Sequence, residues 1–91
     1  MAVYIVTYDL ISPGKDYGPL LAAIRSYTHC DALKSAYFID TSETAATVRD
    51  KLMKHIDSND KMYVLRLHGE WAANRQMTCT DWLNNPSRKW N

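Results

Sequence analysis

The sequence predicts one α+β domain of ferredoxin-like type, and three observations predict it. Stretches 2–9, 36–40 and 61–68 are rich in β-branched and aromatic residues and alternate as strands do. Between them, two stretches repeat apolar residues at helical spacing. Ninety-one residues suffice for one layer of helices on one sheet, but not for a second core.

In the first strand, Ala2 to Asp9 (AVYIVTYD), Val3, Ile5 and Thr7 point one way and Tyr4, Val6 and Tyr8 the other. Both faces are apolar or amphipathic, the pattern of a strand covered on both sides. Ser12-Pro13-Gly14 signals a turn. Asp16 offers a helix N-cap, and Pro19 falls in a first turn, where its missing N–H does no harm. Tyr17, Leu20, Leu21, Ile24 and Tyr27 or Thr28 then recur on one side, which predicts a helix over Asp16 to Tyr27. After a short polar stretch, Ala32 to Thr41 reads as a very short strand, a tight turn at Lys34-Ser35 and a longer strand from Ala36 to Asp40. One bent strand is the alternative.

Thr41 or Ser42 caps a second helix, with Glu43 at its positive end. Ala45, Val48, Leu52 and Ile56 form the buried stripe, and Asp57-Ser58-Asn59-Asp60 ends it as a polar turn. In the last strand, Lys61 to His68, Tyr63, Leu65 and Leu67 alternate with Met62, Val64 and Arg66. The order strand, helix, strand, strand, helix, strand is βαββαβ, which puts both helices on one face of an antiparallel sheet. The other face then keeps apolar side chains. At about 25 cal/mol per Å² of apolar surface buried, that open face is expected to meet a second copy in a homodimer.

Hydrophobic residues at 46% and charged residues at 23% are ordinary globular values, so disorder is not the default. The net charge of +1 disfavours tight non-specific nucleic-acid binding by a monomer. The N-terminal strand lacks the basic and long apolar regions of a signal peptide. No stretch approaches the roughly 18 apolar residues of a membrane span. Cys30 and Cys79 form no CxxC pair, and two free thiols in a reducing compartment, the cytoplasm, are expected.

Residues 1–68 form the predicted domain, and residues 69–91 an extension of different character. The extension carries Trp71, Trp82 and Trp90 with Arg75, Arg88 and Lys89, against Glu70 and Asp81. Thr80-Asp81-Trp82-Leu83 suggests a helical turn closed by Asn84-Asn85-Pro86. Its tryptophans either pack on the domain or a partner subunit, or they and the arginines engage nucleic acid. Lys15, Lys34, Arg75, Trp82, Arg88 and Lys89 are the candidate contacts to RNA, DNA or a protein partner.

Asp9 is the leading candidate for chemistry. A carboxylate at a strand's C-terminal end can bind metal or polarise water, and two brought together across a dimer axis can hold a hydrated ion. The plainer role for Asp9 is to cap the following loop through its backbone N–H groups. His55 sits near the apolar stripe, as a packed side chain. His68 and Glu70 flank Gly69 and form a possible acid–base pair. No Ser/His/Asp order, phosphate-cradling glycine loop or zinc motif is present.

Three blocks carry a resemblance. Tyr4-Ile5-Val6-Thr7-Tyr8-Asp9-Leu10, Lys34-Ser35-Ala36-Tyr37-Phe38-Ile39-Asp40-Thr41 and Asp60 to Leu67 occur in the order and at the intervals of the small CRISPR-associated adaptation proteins (the Cas-two family) and the related VapD-like toxins. The chain resembles stand-alone relatives of these families. The resemblance implies a ferredoxin-like homodimer with its sheets packed together. It implies that Asp9 is the metal-associated residue for phosphodiester cleavage with Mg²⁺ or Mn²⁺, with Ser35 near it in the catalytic site. Some members of these families cut RNA or DNA, and others hold DNA as scaffolds. This chain departs from them in having Lys15-Asp16-Tyr17-Gly18 for an Arg-rich helix start, a near-zero charge, and the tryptophan-bearing extension.

Overall fold

The computed structural model describes residues 1–11, 16–74 and 78–90. The Ser12-Pro13-Gly14 turn, Lys15 and Arg75 lie outside the described residues. The elements in chain order are β1 (Ala2–Asp9), α1 (Gly18–Arg25), β2 (Thr28–Leu33), β3 (Ala36–Thr41), α2 (Ala45–Met53), β4 (Lys61–Leu67) and α3 (Thr78–Asn84). The strands make one antiparallel sheet in the order β2-β3-β1-β4. This is a small α+β fold compatible with a ferredoxin-like arrangement, with a third helix added.

Alternation along the strands builds the main core. Tyr4 and Val6 of β1 and Tyr37 and Ile39 of β3 share a face, where they meet Leu20 and Ile24 of α1 and Val48 and Leu52 of α2. Each helix thus presents residues four apart, one turn on the same side. Met62 and Val64 of β4 pack at the rim of this core.

Several local expectations shift. α1 begins at Gly18, two residues later than predicted, because Asp16 uses its Oδ1 to accept the Gly18 N–H at 2.9 Å. The cap of α2 is Thr44, whose Oγ1 accepts the Thr47 N–H at 3.2 Å, and Thr41 instead accepts the Glu43 N–H. β2 starts at Thr28 and takes in the stretch read as polar linker. Its polar residues suit an edge strand, where apolar alternation is not required. The turn at Lys34-Ser35 is present, and β3 follows it.

The polar turn before β4 is a clamp. The Asp60 carboxylate accepts the Ile11 N–H at 2.8 Å, the Tyr17 hydroxyl at 2.7 Å and the Asp57 N–H at 2.8 Å. One side chain therefore ties the end of β1 and the entry to α1 to the turn after α2. Hydrogen bonds to a charged acceptor contribute about 1.5–3 kcal/mol each, non-additively. Asp60→Ala is expected to destabilise the protein by roughly 3 kcal/mol, read as a lower urea midpoint at unchanged m-value. An unchanged midpoint would show that the three donors find water equally well.

The expected free thiols are corrected. Cys30 on β2 and Cys79 on α3 form a disulfide, with sulfurs 2.01 Å apart. The separation of 49 positions gave the sequence no local spacing to signal the pair.

The bridge shows where the extension goes. The chain after β4 folds back over the face that α1 and α2 do not cover, on its β2/β3 side. Val3 points to that face yet is 0% exposed. Cys79 and Leu83 of α3 are buried, and the Trp82 ring stacks on Phe38 at 6.3 Å between centroids. Gly69 makes the reversal possible: its φ is +91°, and Trp90 would lie 3.1 Å from any Cβ placed there. Cover expected from a second copy is thus supplied for half the sheet by the same chain. The β1/β4 half keeps Ile5 partly exposed, with Tyr63 at 70% and Leu65 at 50% exposure.

Candidate functional site

Asp9 ends β1 and is exposed. Ser35 lies beside that strand end: its carbonyl oxygen accepts the Tyr8 N–H at 3.1 Å and the Thr7 hydroxyl at 3.2 Å. The turn at Lys34-Ser35 therefore brings the two predicted catalytic residues to one end of the sheet, along with exposed Lys34. The Ser35 atom shown at work is its carbonyl. Lys61, the first residue of β4, is the cross-strand partner of Asp9.

That neighbour bears on the implied Mg²⁺ or Mn²⁺. Opposed residues hold their Cβ atoms about 5 Å apart, so the nearest cross-strand side chain to Asp9 is a cation and not the oxygen ligand a hard cation requires. Among the described residues, no group of three His, Cys, Asp or Glu side chains gathers as a cation site. The described residues of a single chain do not fit such an ion at Asp9.

Trp82 and Arg88, two of the extension's candidates, are engaged within the domain. Arg88 Nη1 donates to Asp40 Oδ2 at 2.6 Å, with the two side chains 9% and 4% exposed. Arg88 Nε donates to the Trp82 carbonyl oxygen at 3.2 Å, and its guanidinium lies 3.9 Å from the centre of the Trp82 ring. Phe38, Trp82 and Arg88 thus form a stack ending in a buried ion pair, which combines aromatic packing with cation–π attraction. Asp40 Oδ1 is buried with no hydrogen-bond partner among the described residues. Lys89 is exposed, its Nζ 3.5 Å from the Pro86 carbonyl oxygen.

A second polar cluster, unforeseen in the sequence, lines an open groove of about 440 Å³ between α1 and α2. The Tyr27 hydroxyl donates to Glu43 Oε1 at 2.6 Å, and Lys51 pairs with Glu43 Oε2. The Lys51 bond, then the Tyr27 bond, hold the Glu43 carboxyl below its usual range. Burial, reinforced by Glu43, raises the Tyr27 hydroxyl well above its ordinary value. Depressed in the folded state, the Glu43 contribution is present above its unfolded value and lost as pH falls through the folded one. Raised in the folded state, the Tyr27 contribution is present below about pH 10 and lost as pH rises further. Glu43→Gln is expected to flatten the acid limb of the stability–pH curve, measured by urea unfolding from pH 3 to 7. An unaltered acid limb would rule out Glu43 as its source.

His55 lines the same groove, half-buried. The His29 ring bonds the Tyr27 carbonyl oxygen at 2.9 Å, while His68 and Glu70 are both exposed. On the sheet's other face, Ala32, Leu33, Phe38, Trp71 and Leu83 line an apolar hollow of about 320 Å³ beside the bridge. Sequence reading passed over Asp40, the Cys30–Cys79 pair and Glu43. An acid directly after the apolar run Tyr37-Phe38-Ile39, still within the strand, was the one available signal, since a buried acid requires a partner.

No family model matches the chain, and no solved structure matches it.

Proposed function

We propose that the chain is a non-catalytic, homodimeric binding module of ferredoxin-like type, joined to its second copy through the β1/β4 half of the sheet. One observation supports this above others. Trp82 and Arg88, the groups best suited to grip nucleic acid, are consumed in covering the β2/β3 half, while the uncovered half presents Ile5, Tyr63 and Leu65. Apolar groups left bare on a central strand and its neighbour favour association over chemistry. Among the described residues, no helix is long and apolar enough to cross a membrane. The cytoplasmic placement rested on free thiols, and the bridge fits an oxidising compartment better.

Sedimentation across a concentration series tests the reading. Wild-type protein is expected to convert reversibly from monomer to dimer, and Leu65→Glu to stay monomeric with its melting temperature little changed. A wild type that is monomeric at every concentration would remove the proposal.

A second reading, a metal-dependent nuclease of RNA or DNA, has one observation in its favour: Ser35 and Asp9 lie at the same end of the sheet. The two readings part on a single comparison. Mn²⁺-stimulated cleavage present in wild type and absent in Asp9→Ala would install the nuclease reading. Equal inactivity of both proteins is expected here.

A further inference from the structure

The two edges of the sheet are treated differently. β2 forms one edge, where its register with β3 shifts between Asp31 and Leu33 and where α3 is bridged to it through Cys30. A bulge is one of the ways proteins blunt a sheet edge against strand addition. β4 forms the other edge. It pairs with β1 without a break from Lys61 to Leu67 and contains no proline. The β2 edge is irregular, and the β4 edge is regular and left able to pair.

The backbone pattern states what β4 offers. Because the Tyr8 N–H reaches the Ser35 carbonyl on the β3 side, the even-numbered residues of β1 direct their backbone groups to β3. Alternation then directs its odd-numbered residues to β4. With Ile5 opposite Leu65 and Thr7 opposite Tyr63, the odd-numbered residues of β4 answer β1. Met62, Val64 and Arg66 therefore aim their N–H and C=O groups outward, away from the sheet. The sheet itself gives these groups no strand partner, and a strand of matching pattern can pair them.

From this we infer that the second copy docks by adding its β4 antiparallel to this β4, with Val64 on the two-fold axis, so that two four-stranded sheets become one. The inference rests on the dimer reading above and names the contact. Three features make β4 complementary to itself in this register. Val64 faces Val64 of the other copy, and Met62 faces Arg66, so every outward N–H meets an outward carbonyl. Tyr63 then stands opposite Leu65 in the non-hydrogen-bonded positions, where side chains approach most closely. The exposed Tyr63 and Leu65 of both copies thereby join as one apolar cluster on the open face, beside Ile5. The charges also tolerate the arrangement. The two Arg66 residues fall four positions apart and the two Lys61 residues six, or about 14 and 20 Å along the strands. Both separations exceed the roughly 8 Å screening length at physiological salt, so the basic residues do not oppose pairing.

Amide hydrogen exchange resolved by residue, measured on the intact oxidised chain at dilute and high concentration, is the test. The N–H groups of Tyr63, Leu65 and Leu67 face β1 and are expected to be protected at both concentrations. Those of Met62, Val64 and Arg66 are expected to exchange freely when dilute. They should slow about tenfold once nine-tenths of the chains are paired, since exchange then proceeds through the free tenth. Val64→Pro supplies a second measurement: its N–H faces outward, so proline there spares the β1 ladder and is expected to abolish the dimer in sedimentation. If wild type dimerises while Met62, Val64 and Arg66 exchange at the dilute rate, the contact is face to face. The edge assignment then falls and the dimer reading stands. If no dimer forms at any concentration, both fall.

Discussion

Reduction of the Cys30–Cys79 bridge is expected to lower the melting temperature by on the order of 20 °C, and Cys79→Ser by about the same amount. The bridge closes a loop across 49 positions, and in the chain-entropy account a loop of that length restricts the unfolded state by about 4 kcal/mol. The domain it holds is small. A chain of 91 residues buries a modest share of its surface, so one cross-link is a large fraction of its net stability. The bridge also joins the two parts that sequence alone separates, the sheet and the extension. Calorimetry with and without a dithiol reductant measures the effect. Coincident melts of oxidised and reduced protein would show that the extension adds nothing to the cooperative unit.

The second large effect concerns the ion pair that closes the extension on the sheet. Arg88→Ala is expected to cost roughly 3–5 kcal/mol, because it leaves the Asp40 carboxylate buried without a counter-charge. The position is severe because Asp40 Oδ1 already has no partner among the described residues, and Arg88 bonds its other oxygen. Removing Arg88 also takes the guanidinium from the Trp82 ring and a donor from the Trp82 carbonyl. Arg88→Lys is expected to fall between, since an ammonium keeps the charge and loses the stacked, forked geometry. Replacing both partners together, Asp40→Leu with Arg88→Met, is expected to restore most of the loss, as apolar exchange of a buried pair often does. Urea unfolding of the two single variants and the double variant gives the coupling. Purely additive losses would mean that the two side chains do not act as a pair.

These two contacts also show what the strands of the sequence could not. Alternation in Ala2–Asp9 announced two apolar faces, and the number of helices in the first 68 residues announced cover for one of them. That inference was sound, but the conclusion that a second copy must supply all the remaining cover did not follow. Cys79, Trp82 and Leu83 stand at i, i+3 and i+4 on one short helix, but that local stripe does not say which surface it covers; Gly69, with its positive φ, helps to turn the chain back onto the sheet. Arg88 read as a surface cation because its partner lies 48 positions away. Asp60 read as turn punctuation because two of its donors, Ile11 and Tyr17, lie 49 and 43 positions away. Asp9 and Ser35 were expected together, and the Lys34-Ser35 turn does bring Ser35 to the end of β1.

By itself, the sequence determined the strands β1, β3 and β4, the helices α1 and α2 and their order, because period and propensity are local properties that need no partner. The tertiary structure alone decided the Cys30–Cys79 bridge, the Asp40–Arg88 pair, the placement of residues 69–74 and 78–90 and which strands lie at the sheet's edges. Each of these depends on groups far apart in the chain, and what joins them is burial: a carboxylate, a thiol or a tryptophan takes its role from what excludes water around it.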